Sequence, residues 1–321
     1  MDADFQVMLE LFETLALIII NILALLAICM TKNFTNSCIL VYVAALLFWN
    51  ISSQVITTIH NVPSYYAKES IFSKEGQLLL IFFETMHWFM ELFGILMFSF
   101  FHLSAICYPT FFSQINLKST LYSLSLVTVV AVGATIPLMT SCCLYKYYID
   151  GNYWYYDFSK PASKIYSNAN IVLQSGCIIF LIITDFLIVI KLYQLRKKNE
   201  KFFIKSKSTK GGRSKLNKEF QLAINFFVLN FLFIFSSCNF NFLSAATGYV
   251  KTMTIVVSAL NKAKWAFYVF GNQRIQESIF CKNANQNQNS GSHMIVAELN
   301  ISPDRVDRKA TSQASIMAST C

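Results

Sequence analysis

Long apolar stretches separated by short polar segments dominate the sequence. From Phe220 to Val250 there is no Asp, Glu, Lys, Arg or His, and the same holds from Asn33 to Ile59. About 20 consecutive apolar residues form a helix that can cross the hydrocarbon core of a bilayer. The period-two alternation typical of membrane strands is absent from these runs. The pattern predicts seven spans, at residues 11–31, 37–59, 77–103, 120–141, 168–193, 220–243 and 252–270.

The predicted fold class is therefore an all-α membrane protein, a bundle of seven transmembrane helices. Hydrophobic residues make up 55% of the chain and charged residues 13%, whereas a soluble domain carries about 25% charged residues. The sequence divides into a short extracellular N-terminus at 1–10, a membrane domain at 11–281 and a tail at 282–321. We predict that the tail is disordered, because it is polar and rich in Asn, Gln and Ser.

The distribution of charge predicts the orientation. Eleven Lys and Arg residues lie between Lys191 and Lys218, in the connection between spans five and six. Cytoplasmic loops carry an excess of Lys and Arg, which favours an outer N-terminus and a cytoplasmic C-terminus. The net charge of +9 thus indicates contact with anionic lipid headgroups or a signalling partner, not with nucleic acid. Gly211 and Gly212 predict a flexible turn within this basic connection.

Span three carries ionisable residues on one face. Glu84, His87 and Glu91 have the spacing i, i+3 and i+7, and His102 follows 18 residues after Glu84, which is five helical turns. Charged groups inside a membrane are costly and mark functional sites. We expect this face to line the interior of the bundle, with Glu84 and Glu91 at a depth that a small molecule could reach from outside.

Two interpretations of this face remain open. It could form a ligand pocket. Alternatively, its ionisable groups could pair with groups on other helices and hold the bundle together, with Lys262 and Lys264 of span seven and Asp185 of span five as candidates. A metal site is disfavoured, because the Glu-x-x-His pattern occurs without a second copy. The candidate ligand-binding residues are Glu84, His87, Trp88, Glu91 and Lys262.

Residues 101–109, FHLSAICYP, end the third span. They resemble the corresponding segment of the nematode serpentine chemoreceptors of class x (Srx), within the superfamily of rhodopsin-like G-protein-coupled receptors. His102 stands where that superfamily has an arginine. Asp185 with Lys191, the segment 270–274 (FGNQR) and the aromatic residues 147–156 also resemble features of the family, so that the likeness extends over most of residues 10–282.

The resemblance implies a chemosensory receptor in the cell membrane of a sensory neuron and its cilia. It implies an unknown small-molecule ligand and a heterotrimeric G protein as partners, and no enzymatic activity. Cys281, just after the last span on the cytoplasmic side, is a candidate for lipidation. The candidate coupling and switch residues are His102, Pro109, Asp185, Arg196, Lys197, Lys198 and Arg274.

Several departures from the family pattern leave alternatives open. Histidine lacks the five-donor fork of arginine, and Gln77 and Ser163 stand near the positions of the family's disulfide cysteines. Opsins bind retinal through a lysine in span seven, but Lys262 lies ten residues before Asn272 and no Asn-Pro follows, so we expect neither retinal nor another cofactor. A divergent receptor that no longer couples, a seven-span transporter, a channel and an intramembrane enzyme are the alternatives.

Overall fold

The computed structural model describes residues 3–31, 34–149, 153–205, 210–239, 251–272 and 275. Within these ranges each predicted span overlaps one long helix, although the helices of the second, fourth and sixth spans end before the predicted boundaries. The helices are α1 Ala3–Met30, α2 Cys38–Ile56, α3 Val62–Ala67, α4 Lys74–Cys107, α5 Pro109–Phe112, α6 Leu117–Thr135, α7 Ser163–Lys205, α8 Lys210–Cys238 and α9 Lys251–Gly271. Short 3-10 helices occupy Phe34–Asn36 and Ile136–Met139, and a π-helical turn, Thr57–Asn61, joins α2 to α3.

Five helical segments are long and apolar enough to cross a membrane, which supports a multi-pass membrane protein. They are Val7–Met30, Cys38–Ala67, Lys74–Cys107, Leu117–Met139 and Ser163–Lys197. Helix α8 contributes a shorter apolar segment, Ala223–Cys238. Seven spans and the orientation of the termini stay predictions.

Polar residues define where the helices begin and end. Ser37, Ser73 and Asn116 cap α2, α4 and α6 by accepting hydrogen bonds from backbone N–H groups that have no partner within the helix. Helix α4 ends at Cys107, since Pro109 disfavours a helical conformation at the residue before it. Tyr108 accordingly leaves the helical region, with φ −131° and ψ 62°.

Helix α4 lies at the centre of the bundle. It packs against α2, α6 and α7, while α9 packs against α1, α2 and α8. In its apolar segment 61% of the residues are buried, against 22% for α6. Gly94 allows α2 to approach α4 closely, because a Cβ at this position would lie only 2.5 Å from Leu46 Cδ2. On the outside α7 exposes large apolar side chains such as Ile179 and Phe186, as expected of a helix in contact with lipid.

The prediction of an all-α fold is wrong at one place, the connection between α6 and α7. Strands β1 (Tyr145–Tyr148) and β2 (Tyr153–Tyr156) form an antiparallel hairpin in which Tyr147 pairs with Trp154. Tyrosine and tryptophan favour strands because they pack well on a pleated surface. The dipeptide Asp150-Gly151, a strong hairpin signal, could have revealed the hairpin from sequence.

The hairpin is anchored where α2 meets the π-helical turn. The end of the bundle that carries the hairpin is called its outer end, after the predicted orientation, and the opposite end its inner end. Tyr147 donates a hydrogen bond to the carbonyl oxygen of Asn61 at 2.9 Å, and the indole N–H of Trp154 donates to Asn61 Oδ1 at 3.1 Å. The His60 ring contacts Tyr147, Trp154 and Phe72 at centroid distances of 5.1, 5.6 and 5.6 Å. An isolated two-stranded hairpin is marginally stable, so these contacts hold the strands in place.

The N-terminal segment and the basic connection are both more helical than expected. Helix α1 begins at Ala3, within the predicted N-terminal segment 1–10, where Asp4 in its first turn suits the positive end of the helix dipole. Gly211 and Gly212 do not form a turn, because α8 begins at Lys210. Much of the basic connection consists of helical extensions of α7 and α8.

We predict that Trp154→Phe loosens the hairpin without unfolding the bundle. The substitution keeps an aromatic ring but removes the N–H donor to Asn61, which costs about 1 kcal/mol. Amide hydrogen exchange across β1 and β2 should become about fivefold faster. Trp49→Phe on α2 is the matched control and should leave the hairpin unchanged; equal exchange rates in the two variants would show that Trp154 does not anchor the strands.

Candidate functional site in the bundle interior

A buried ion pair occupies the middle of the bundle. The Lys264 ammonium of α9 contacts the Glu91 carboxylate of α4, and the two side chains are 0% and 2% exposed. Lys264 Nζ also donates to the backbone carbonyl and the side-chain oxygen of Asn261, at 3.0 and 2.8 Å. The three hydrogens of the ammonium therefore each have an acceptor. A buried charge is tolerable only when it is paired and hydrogen-bonded in this way.

Two more polar side chains complete this group. Asn261 Nδ2 donates to Glu91 Oε2 at 3.4 Å, and His87 Nε2 lies 3.6 Å from the same oxygen. His87 is the outer neighbour of Glu91 on α4, one helical turn away. The Glu91 carboxylate thus accepts hydrogen bonds from α9 and faces an imidazole of its own helix. All the other side chains of the group contact Glu91.

Glu84 lies toward the outer end of α4 and contacts different residues. Its carboxylate accepts hydrogen bonds from Ser53 Oγ at 2.9 Å and from Thr57 Oγ1 at 3.5 Å. Glu84 also interacts electrostatically with Lys262, as does Glu13 of α1. Lys262 is half-buried, and unlike Lys264 it is shared between carboxylates on two helices.

The backbone at Lys262 joins three helices. Its carbonyl oxygen accepts hydrogen bonds from Asn21 of α1 at 3.2 Å and from Asn50 of α2 at 2.7 Å. Asn21 also donates to Gln54 Oε1 at 3.3 Å. These amides fix the rotation of α9 about its axis and thereby decide which of its two lysines reaches Glu91.

His102 lies in an aromatic cage near the inner end of α4. It is 2% exposed, its Nε2 lies 3.2 Å from the Tyr268 hydroxyl, and its ring stacks on Phe226 with centroids 4.4 Å apart. Phe98 contacts the same ring edge-on at 4.8 Å. The imidazole of His102 therefore connects α4 with α8 and α9.

The structure distributes the other predicted coupling residues over the inner half. Asp185 of α7 accepts a hydrogen bond from Asn230 of α8 at 2.8 Å, and half-buried Pro109 begins α5 directly after α4. Arg196 and Lys197 are exposed near the end of α7. Lys198 belongs to α7, but its side chain lies outside the described part, as do Arg274 and Cys281.

The structure separates the predicted ligand-binding residues into two groups. Glu84 and Lys262 belong to an outer group with Ser53 and Thr57, whereas Glu91 is committed to Lys264. His87 faces Glu91 in this second group, and the half-buried Trp88 follows it on α4. The ligand-binding role of the five residues stays a prediction.

Some residues of the site were missed in the sequence. Ser53 and Thr57 could have been found, since they lie four residues apart, on the same face of α2 within an apolar run. Asn261 lies three residues before Lys264, so the two side chains are neighbours on the same face of α9. Tyr268 and Asn230 carry no comparable signal, because their partners depend on how distant helices pack.

The overall arrangement matches a solved structure of known class. The chain superposes on squid rhodopsin with a TM-score of 0.69 over 86% of its own length and 84% of that chain, at 14% sequence identity. No family model and no curated protein sequence matches. The chain therefore has the fold of squid rhodopsin.

We predict that Glu91→Gln destabilises the bundle and that a second substitution rescues it. The single variant leaves the Lys264 ammonium buried beside a neutral amide, which costs about 3–5 kcal/mol. The double variant Glu91→Gln/Lys264→Met removes both charges and should regain most of the loss.

Thermal unfolding of the purified full-length chain checks this prediction. Glu69→Gln, an exposed outer carboxylate, is the control and should unfold like the parent. If Glu91→Gln also unfolds like the parent, or if the double variant is no more stable than the single one, the pair does not hold α4 to α9.

Proposed function

We propose that this chain is a chemosensory G-protein-coupled receptor in the cell membrane, with its N-terminus outside. In this proposal it binds a small molecule from outside and activates a heterotrimeric G protein. The observation that carries the proposal is the row of ionisable residues on α4, which faces the interior of a bundle with the rhodopsin fold. The assignment to the nematode class x chemoreceptors is supported by the sequence motifs of residues 101–109.

The proposed ligand chamber lies in the outer half of the bundle. Glu84 supplies a carboxylate and Lys262 an ammonium, while Trp88 supplies an aromatic wall. His87 Nδ1 is buried and has no hydrogen-bond partner among the described residues, so it offers a polar atom to a ligand. These groups suit a cationic or strongly hydrogen-bonding ligand. The Glu91–Lys264 pair forms the inner floor of this chamber.

Activation would require the contacts between α4 and α9 to change. Two of these contacts lie below the chamber, the Glu91–Lys264 pair and the His102–Tyr268 hydrogen bond. A ligand shifts the receptor toward the arrangement that it binds better. A change from 1:99 to 99:1 requires about 5.5 kcal/mol of differential binding. A ligand that attracts Glu84 or His87 acts on α4 one or two helical turns from Glu91. It can therefore shift α4 and with it the contacts between α4 and α9.

The G protein would bind at the inner end of the bundle. Arg196 and Lys197 are exposed there, on the helical extension of α7 beyond its apolar segment. The adjoining Asp185–Asn230 hydrogen bond links α7 to α8, so a displacement of α8 changes the position of this basic surface. Basic residues on a helical extension also attract the anionic headgroups of the inner leaflet.

Tyr268→Phe tests coupling without a known ligand. The substitution keeps the aromatic packing on Phe98 but removes the hydrogen bond to His102, which is worth about 1 kcal/mol. Basal nucleotide exchange on a co-expressed G protein should rise about fivefold, because the resting arrangement loses that free energy. Tyr193→Phe, on the exposed surface of α7, is the matched control. Exchange at background level in the parent and both variants, with surface expression preserved, would contradict G-protein coupling.

Glu84→Gln tests the ligand chamber. Small amines that raise nucleotide exchange in a screen of the parent receptor should lose at least about tenfold in potency, because the variant has no carboxylate to attract them. Neutral glutamine can still bond to Ser53 and Thr57, so folding and surface expression should survive. Glu69→Gln should respond like the parent, and unchanged potency in Glu84→Gln would place the ligand elsewhere.

A further inference from the structure

Two adjacent thiols lie between the bundle and the hairpin. Cys142 and Cys143 follow the 3-10 helix Ile136–Met139 and precede β1. Cys142 is exposed, whereas Cys143 is 4% exposed and belongs to the main hydrophobic core. The proposed orientation places this end of the bundle outside the cell, where disulfides form and persist.

The two sulfur atoms are close and hydrogen-bonded. Cys142 Sγ lies 3.0 Å from Cys143 Sγ and 3.0 Å from Thr140 Oγ1. The backbone around them is held by hydrogen bonds from Cys143 N to the Thr140 carbonyl at 3.4 Å and from Ala162 N to the Cys142 carbonyl at 3.1 Å. A disulfide requires a sulfur–sulfur distance of about 2.05 Å, so the sulfurs need to approach by only about 1 Å.

We propose that Cys142 and Cys143 form a redox-sensitive site that reacts with small-molecule disulfides and closes to a disulfide between neighbouring residues. The Cys142 thiolate attacks one sulfur of the small disulfide, forms a mixed disulfide and releases the first thiol. Cys143, after losing its proton to solvent, attacks Cys142 Sγ and releases the second. The two protein thiols are oxidised, and the small disulfide is reduced to two thiols.

The surroundings assign different roles to the two thiols. The hydrogen bond from Cys143 stabilises a negative charge on Cys142 and lowers the pKa of the Cys142 thiol. Burial, together with the neighbouring Cys142, raises the pKa of Cys143 to about 11. Since the thiolate is the attacking species and only Cys142 is exposed, Cys142 reacts first and Cys143 resolves the mixed disulfide.

A bound metal ion is the competing interpretation of two adjacent thiols. Structural sites for zinc use four protein ligands, and the described part of the chain contains no group of three or more His, Cys, Asp or Glu side chains placed to hold a metal. Two sulfur atoms alone therefore favour oxidation. A disulfide between neighbours is strained, and strained disulfides are readily reduced, which makes the site reversible.

The closed disulfide would act on the proposed ligand chamber through the hairpin. The pair lies between the end of α6 and β1, and the Ala162–Cys142 hydrogen bond connects it to the start of α7. Closure changes the backbone at this junction and with it the position of the strands, which also contact Asn61 at the outer end of α2. This step, unlike the chemistry of the thiols, rests on the proposed function.

Peptide mass spectrometry tests the chemistry. The purified full-length chain is incubated with oxidised glutathione, alkylated and cleaved with trypsin. The fragment 119–146 contains both cysteines and no others. We expect this fragment to be two hydrogens lighter and free of alkyl groups, and dithiothreitol should reverse the change. Cys29→Ser, which removes an exposed thiol on α1, is the control and should behave like the parent.

Single variants separate the two roles. Cys143→Ser should accumulate a glutathione adduct on Cys142, because nothing resolves the mixed disulfide. Cys142→Ser should react at least about tenfold more slowly, because the remaining thiol is buried and protonated. Two alkyl groups on the parent fragment after oxidation, a lasting glutathione adduct in the parent, or protection of both thiols by a bound metal ion would each overturn the proposal.

Intact cells separate a failure of the chemistry from a failure of the proposed orientation. On cells first reduced with dithiothreitol and then washed, a membrane-impermeant maleimide should label Cys142 in the parent and not in Cys142→Ser. If the purified chain closes the disulfide but cells show no labelling, the orientation is wrong and the redox site stands as a chemical property of the chain. If cells are labelled but the purified chain does not close the disulfide, the orientation stands and the redox site fails.

Discussion

One ammonium group inside the membrane constrains the whole bundle. An uncompensated lysine in hydrocarbon is costly, and Lys264 is 0% exposed, so its three acceptors must be in place whenever the bundle is folded. Its ion pair with Glu91 joins α4, which packs against α2, α6 and α7, to α9, which packs against α1, α2 and α8. The pair therefore ties the helices around α4 to those around α9, with α2 common to both sets.

Polar contacts at three depths continue this connection along α4. Glu84 bonds to α2 near the outer end, Glu91 pairs with α9 in the middle, and His102 meets Tyr268 near the inner end. Inside a bilayer an apolar helix face is almost as stable against lipid as against another helix. Polar contacts and close packing therefore decide which helices associate. Proposed activation would have to rearrange these same contacts. The residues that stabilise the bundle are therefore also the residues proposed to switch it.

Helical periodicity predicted which face of α4 points inward, because the spacing of Glu84, His87 and Glu91 depends only on the helix itself. The partner of Glu91 could not be predicted in the same way. Residues two apart on a helix point about 200° away from each other, so the choice between Lys262 and Lys264 depends on the rotation of α9. That rotation is set by Asn21 and Asn50, which are distant in sequence.

His102 occupies the position at which the receptors that the sequence resembles have an arginine, and the two side chains make different kinds of contact. Arginine carries a permanent charge and a rigid fork of donors, whereas His102 makes one hydrogen bond to Tyr268 and stacks on Phe226. These contacts of His102 depend on the positions of the aromatic rings and not on a charge on the imidazole. In the proposed function, the positive charge that an anionic surface of a partner requires would therefore come from the exposed Arg196 and Lys197 on α7. In this chain the buried contact of His102 and the proposed docking surface therefore lie on different helices.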